Sequence, residues 1–238
     1  RHFDEFPELV EILRDRGKDE QAAKVQRAAE IIHPVAVTQE KPLGLGHAVG
    51  LAESVLDDDE DFFTVMLPDD VIEPTAAMGE MIRARQEKGG SVLLAVEVDP
   101  AHVSNYGVFD IETTDDDRVK KVVGMVEKPA VEDAPSNLVA TGRYLLDRKI
   151  FDALRRIKPG KGGEIQLTDA LLELANDPSS GGVYGVVFRG RRYDTGDKLS
   201  YLKANVTIAS EREDLGPELR AWLIEFAKGL EGKDADQA

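Results

Sequence analysis

The chain has 238 residues, 42% of them hydrophobic, enough to bury the core of one large domain with at most a small appendage. A formal net charge of -16 argues against a nucleic-acid backbone or an anionic membrane surface as partner. The lack of cysteine excludes a disulfide framework, a zinc–thiolate site and a thiol nucleophile. No apolar run nears the ~20 residues of a membrane span and no signal peptide opens the chain, so the expected setting is the cytoplasm.

In chain order, Arg1 to Glu30 reads as helical. Phe6, Leu9, Val10 and Leu13 form a one-sided stripe, and Gly17 is the expected stop before a second, weakly amphipathic helix. Ile31 to Thr38 reads as a strand whose Pro34 suggests an edge or a bulge. The turn Pro42-Leu43-Gly44-Leu45-Gly46-His47-Ala48 then opens a helix carrying Leu51, Ala52, Val55 and Leu56. Glycines before a helix let backbone approach a ligand and expose N–H groups, but an ordinary tight connection fits the same residues. None of the four histidines has ligand spacing, and His47 reads as a packing or capping residue.

Phe62-Phe63-Thr64-Val65-Met66-Leu67 is a short apolar run without polar alternation, expected as a central strand buried on both faces. Pro68 ends its ladder and places Asp69 and Asp70 at the carboxyl rim of the sheet, where ligands bind in open α/β folds. Two adjacent carboxylates with no neighbouring cation suit magnesium shared with phosphate oxygens, and equally suit an acidic turn. A helix follows from Pro74 to Gly89-Gly90, then a second apolar strand over Ser91 to Val98. This alternation of strand and helix predicts a doubly wound sheet.

The texture then changes. Tyr106 to Ile111 and Val119 to Glu127 predict a long antiparallel hairpin ending in Glu127-Lys128-Pro129. Strand neighbours point to opposite faces, but beside a proline at a strand end both could turn into a cleft; the plain alternative is a solvated ion pair. Further on come a strand over Val139 to Leu146, a helix around Ile150 to Ile157 and a glycine-rich loop. They are followed by a helix from Glu164 to about Asn176, a strand over Val183 to Arg189, and Asp194 beside a glycine turn. Leu199, Leu202, Val206 and Ala209 make the next helix amphipathic, a last helix spans about Pro217 to Gly229, and 231–238 is a flexible tail. With no composition break, residues 1–238 read as one domain: α/β, a Rossmann-like mixed sheet flanked by helices, with an added antiparallel hairpin.

Six segments occur in a telling order: Gln39 with Pro42 to Ala48, Leu67-Pro68-Asp69-Asp70, Tyr106-Gly107-Val108, Val126-Glu127-Lys128-Pro129, Gly163 to Ala170, and Tyr193-Asp194-Thr195-Gly196. In them the sequence resembles the bacterial UTP–glucose-1-phosphate uridylyltransferases of the sugar nucleotidyltransferase superfamily, over Arg1 to about Leu230. The resemblance implies the reaction of UTP with glucose 1-phosphate to UDP-glucose and pyrophosphate, with magnesium as cofactor and a homo-oligomeric protein. It implies that Gln39 and Gly44 contact the uracil, and that Asp69 and Asp194 hold the metal. Gly107 would leave room for the sugar, Glu127 would accept bonds from its hydroxyls, and Lys128 would bind its phosphate. The family's Gly-x-Gly-Thr-Arg phosphate loop has no counterpart in the chain, so an N-terminally incomplete domain is expected. A non-catalytic sugar-nucleotide-binding module and a different NTP and sugar pair are the competing readings.

Overall fold

The computed structural model describes residues 5–235, with the side chains at 161 and 231–235 left aside. Residues 1–4 and the end of the expected tail, 236–238, lie outside the described residues. The chain divides into two compact units. One takes in the chain up to Pro42 together with Leu51–Asp57, and the other takes in Leu43–Gly50 and the chain from Asp58 onward.

The first unit holds α1 (Pro7–Asp15) and α2 (Asp19–Ile31), separated at Gly17 as the sequence predicts. Arg14 donates to the Gln26 side chain at 2.9 Å between them. Only Val10 of the predicted stripe is buried; Phe6 and Leu9 remain exposed. The strand expected over Ile31 to Thr38 does not form. Val35 and Val37 are exposed there, and β-branched residues make a strand only where another strand receives their backbone bonds.

The second unit is built on a six-stranded sheet of β1 (Phe62–Met66), β3 (Ser91–Glu97), β4 (Gly107–Thr113), β5 (Val119–Glu127), β6 (Leu138–Asp147) and β7 (Val183–Val187), in the order β1-β6-β3-β7-β5-β4. β3 and β7 run parallel and the other neighbours antiparallel. The predicted hairpin is β4 and β5, joined to the main sheet through β7 and through the pair Val108–Val139. A separate antiparallel ribbon, β2 (Asp70–Glu73) with β8 (Arg191–Asp194), sets Asp70 opposite Asp194. Neither of its strands is predicted, because four residues beside turns carry too little periodicity.

α4 (Ala77–Lys88) packs Met81 and Ala84 on Val92 and Leu94 of β3, Leu145 of β6 and Val186 of β7. α5 (Ile150–Arg156) stacks Phe151 on Phe63 of β1, with ring centroids 5.1 Å apart, and α6 (Leu167–Asn176) buries Leu167, Ala170, Leu171 and Leu174. β3 is thus the central strand with both faces buried. β1, expected in that role, pairs with β6 alone and leaves Phe62 and Met66 exposed, the Arg85 guanidinium lying 4.6 Å over the Phe62 ring. The short helix α3 (Leu45–Leu51) follows the glycine turn as predicted.

α7 (Lys198–Glu211) and α8 (Gly216–Ala235) close the chain, the latter running past the predicted stop at Gly229. The stripe predicted to face a core on α7 does not: Leu199, Leu202 and Val206 are exposed, as are Trp222, Ile224 and Phe226 on α8. No helix among the described residues is long and apolar enough to cross a membrane.

The turn after β1 is docked on β6. Leu67 N–H donates to Gly142 O at 2.8 Å, and Gly142 N–H donates to Asp70 Oδ2 at 2.6 Å. Arg143 adds bonds to the carbonyls of Leu67 and Asp70. A Cβ on Gly142 would come within 2.7 Å of Asp70 Cβ and 2.8 Å of Leu67 Cβ. Gly142→Ala should therefore lower stability by about 1–3 kcal/mol, read as a shifted urea midpoint. An unshifted midpoint would mean that the turn yields instead.

Candidate active site

A cavity of about 390 Å³ opens beside this docked turn, entirely within the second unit. Asp69, Gly107, Glu127, Lys128 and Asp194 all line it, so five residues singled out in four separate segments converge. Leu45, one residue after Gly44, also lines it. Gln39 belongs to the first unit.

Asp69 and Asp194 form one end. The Asp69 carbonyl accepts from Thr195 N–H at 2.7 Å and from the Thr195 hydroxyl at 2.8 Å, tying the end of the β1 turn to the end of β8. A Cβ on Gly196 would lie 3.2 Å from Asp69 Oδ2 and 3.2 Å from Asp194 Oδ1. The two carboxylates thus converge on Gly196, whose N–H donates to Asp194 Oδ1 at 3.1 Å. Among the described residues no three His, Cys, Asp or Glu side chains gather as a metal site. A cation held by this pair would draw its other oxygens from a ligand and water, as magnesium does with phosphates.

Glu127 and Lys128 form the other end. β5 stops at Glu127, and Lys128 has φ +47, the left-handed region that a side chain rarely adopts. That turn breaks strand alternation, and both side chains reach the cavity. Their charged atoms are 3.9 Å apart with Lys128 half exposed, a loose pair that leaves the ammonium available to a ligand. Glu127 is firmer: the Thr168 hydroxyl donates to its Oε2 at 2.7 Å. A Cβ on Gly107 would stand 3.2 Å from that oxygen and 3.4 Å from Thr168 Oγ1, so only glycine keeps this part of the cavity open.

Between the two ends lies a group the sequence does not announce. Asp70 is 3% exposed, and Arg192 donates to its Oδ1 at 2.5 Å. The cation missing beside Asp69-Asp70 in sequence is therefore supplied by β8, but to Asp70, which faces inward while Asp69 lines the opening. Burial lifts the Tyr144 hydroxyl well above the usual phenol range, with the charges of Glu127 and Asp70 adding to it, so Tyr144 stays neutral. Thr168, Tyr144 and Arg192 carry no separate signal in sequence, although Thr168 lies in the segment Gly163 to Ala170.

The glycine turn serves the chain's own packing. Gly44 has φ +94, and a Cβ there would meet Glu164 Cβ at 2.8 Å and Ile165 O at 2.9 Å. Gly46 N–H donates to Ile165 O at 2.9 Å, and Ile165 N–H to Leu43 O at 2.8 Å. The close approach predicted for a ligand is thus made first to the segment that leads into α6.

Residues 4–211 match the family model described as nucleotidyl transferase. The putative UTP–glucose-1-phosphate uridylyltransferase of Methanocaldococcus jannaschii is 39% identical over 229 residues, 96% of this chain and 77% of that protein. UTP–glucose-1-phosphate uridylyltransferase 2 of Staphylococcus saprophyticus is 39% identical over 230 residues, 96% of this chain and 76% of its own. Among solved structures, the UTP-bound UGPase from Acinetobacter baumannii superposes with a TM-score of 0.80 at 33% identity, over 94% of this chain and 77% of that one. A UDP-glucose pyrophosphorylase complexed with UDP-glucose gives 0.76 at 32%, over 89% and 76%.

Asp169, in the first turn of α6, offers a test of the cavity's electrostatics. Burial raises its carboxyl pKa, and the Glu127 charge raises it further. A raised carboxyl contributes stability at low pH that is lost as pH rises through its folded value. The stability of Asp169→Asn relative to the parent should therefore improve as pH climbs from about 3 to about 6, measured by urea unfolding. A pH-independent difference would mean that neither burial nor Glu127 raises the Asp169 carboxyl in the folded protein.

Proposed function

This chain belongs to the nucleotidyl transferase family, and from that premise we propose how its cavity makes UDP-glucose and pyrophosphate from UTP and glucose 1-phosphate. The observation that carries the reading is the convergence of Asp69 and Asp194 with Glu127 and Lys128 on one cavity. A phosphate oxygen of the sugar phosphate forms a bond to the α-phosphorus of UTP as the α–β bridging P–O bond breaks and pyrophosphate leaves. Both reactants are anions, so positioning and charge screening supply most of the rate enhancement.

Asp69 and Asp194 would hold magnesium; the pair fits it as two carboxylates that converge on Gly196, a hard-oxygen donor set suited to that ion. Magnesium bound there supplies neutralisation of phosphate charge. Lys128 holds the phosphate of the sugar substrate. Glu127, anchored by Thr168, accepts hydrogen bonds from sugar hydroxyls above Gly107. Gly44, next to the cavity-lining Leu45 of the same unit, takes the uracil. The reaction of a sugar phosphate supports a role in carbohydrate metabolism in the cytoplasm, and the exposed apolar residues of α7 and α8 support a homo-oligomer.

The test is pyrophosphate release by the purified protein with a panel of nucleoside triphosphates and sugar 1-phosphates. Turnover should be greatest with UTP and glucose 1-phosphate. Binding of UDP-glucose without turnover would favour a non-catalytic module. Asp69→Asn should fold and lose about 10²-fold or more in kcat; a folded variant with near-normal rate would remove Asp69 from the metal. Lys128→Ala should damage kcat/KM for glucose 1-phosphate far more than for UTP. A defect confined to UTP would move Lys128 to the nucleotide.

A further inference from the structure

Arg192 links the Asp194 end of the cavity to Tyr106. Its Nε donates to Asp70 Oδ1, its Nη2 lies 3.6 Å from Asp194 Oδ2, and its Nη1 donates to the Tyr106 hydroxyl at 3.2 Å. The guanidinium also lies over the Tyr106 ring, 5.2 Å from its centroid. Burial works against its charge, but Asp70 and Tyr106 more than offset that, and its side chain is only 14% exposed. Tyr106 in turn shapes the sugar side. It precedes Gly107, and its carbonyl accepts from Lys128 N–H at 2.9 Å, holding the turn that points Lys128 into the cavity. Arg192 and Tyr106 also line a second, open groove beside His102 and Asp197, so their contact forms the wall between the two spaces.

We propose that Arg192 is a positioning residue that sets the sugar-phosphate side of the cavity through Tyr106, with the buried Asp70 fixing the guanidinium in place. The inference rests on the uridylyltransferase reading of the same cavity. Three features argue for a directed role. The guanidinium uses separate nitrogens for Asp70 and Tyr106, which a planar fork can do and a lone ammonium cannot while also covering the ring. The carboxylate that anchors it is buried and held from its other side by Gly142 N–H, so the guanidinium has little freedom. And the far partner, Tyr106, bonds directly to the backbone of Lys128.

The experiment is a double-mutant cycle of Arg192→Lys and Tyr106→Phe, with KM measured separately for glucose 1-phosphate and UTP. Each single variant should raise the KM for glucose 1-phosphate about tenfold with the KM for UTP unchanged, since a hydrogen bond to a charged group is lost. The double variant should be no worse than either, because both break one path. Effects that multiply, or equal increases in both KM values, would overturn the proposal. Should Arg192→Lys fail to fold, Tyr106→Phe decides alone, and an unchanged sugar KM overturns it. The same cycle is read in calorimetric affinity for UDP-glucose. A parent protein that binds UDP-glucose without turnover would sink the catalytic reading and leave this one to the binding cycle; one that does neither sinks both.

Discussion

A carboxylate buried without a partner costs several kcal/mol, and Asp70 is buried. Its two oxygens are satisfied by Gly142 N–H on β6 and by Arg192 on β8. Meeting that demand brings the turn after β1, the middle of β6 and the ribbon of β2 and β8 to one place. Asp69 and Asp194 come along as immediate neighbours, one in the turn and one opposite Asp70 in the ribbon. The two-carboxylate end of the cavity is thus a consequence of how an adjacent acid is neutralised. Apolar packing could hold the same strands together, but it would not orient their ends.

The charges are divided by depth. All six charged groups border the cavity, but Asp70 and Arg192 are the most buried and compensate each other, while Asp69, Asp194, Glu127 and Lys128 are the more exposed groups that a charged ligand can use. For a reaction between two phosphates this division matters. A cation consumed by a buried partner cannot screen a substrate, and the loosely paired Lys128 can. The overall charge of -16 makes such local arrangement necessary, since the general field repels phosphorylated substrates.

Elements whose signal lies within one segment were legible. The hairpin of β4 and β5, the stop of α4 before its glycines, and the α6 helix follow from alternation, breakers and helical spacing. Elements that depend on a neighbour were not. Phe62 to Leu67 and Ser91 to Val98 are equally apolar, yet β3 has strands on both sides and β1 has one. Ile31 to Thr38 has strand-forming residues and no ladder to join. The α7 stripe has helical spacing, and its apolar residues stay exposed all the same. Periodicity reports that a face is apolar and says nothing of what covers it.

The sequence by itself determined the chemical types: a carboxylate pair after a proline, a Glu-Lys pair at a strand end, and glycines where backbone must come close. It also carried their order, which is what the family resemblance rests on. Tertiary structure alone decided which of the two adjacent aspartates faces the opening and which is buried. Asp70 is turned inward by an arginine 122 residues away, and Glu127 is steadied by a threonine 41 residues away. Hydrogen bonds and ion pairs act over a few ångströms in space, so their partners can lie anywhere along the chain, and only the folded backbone brings them within reach.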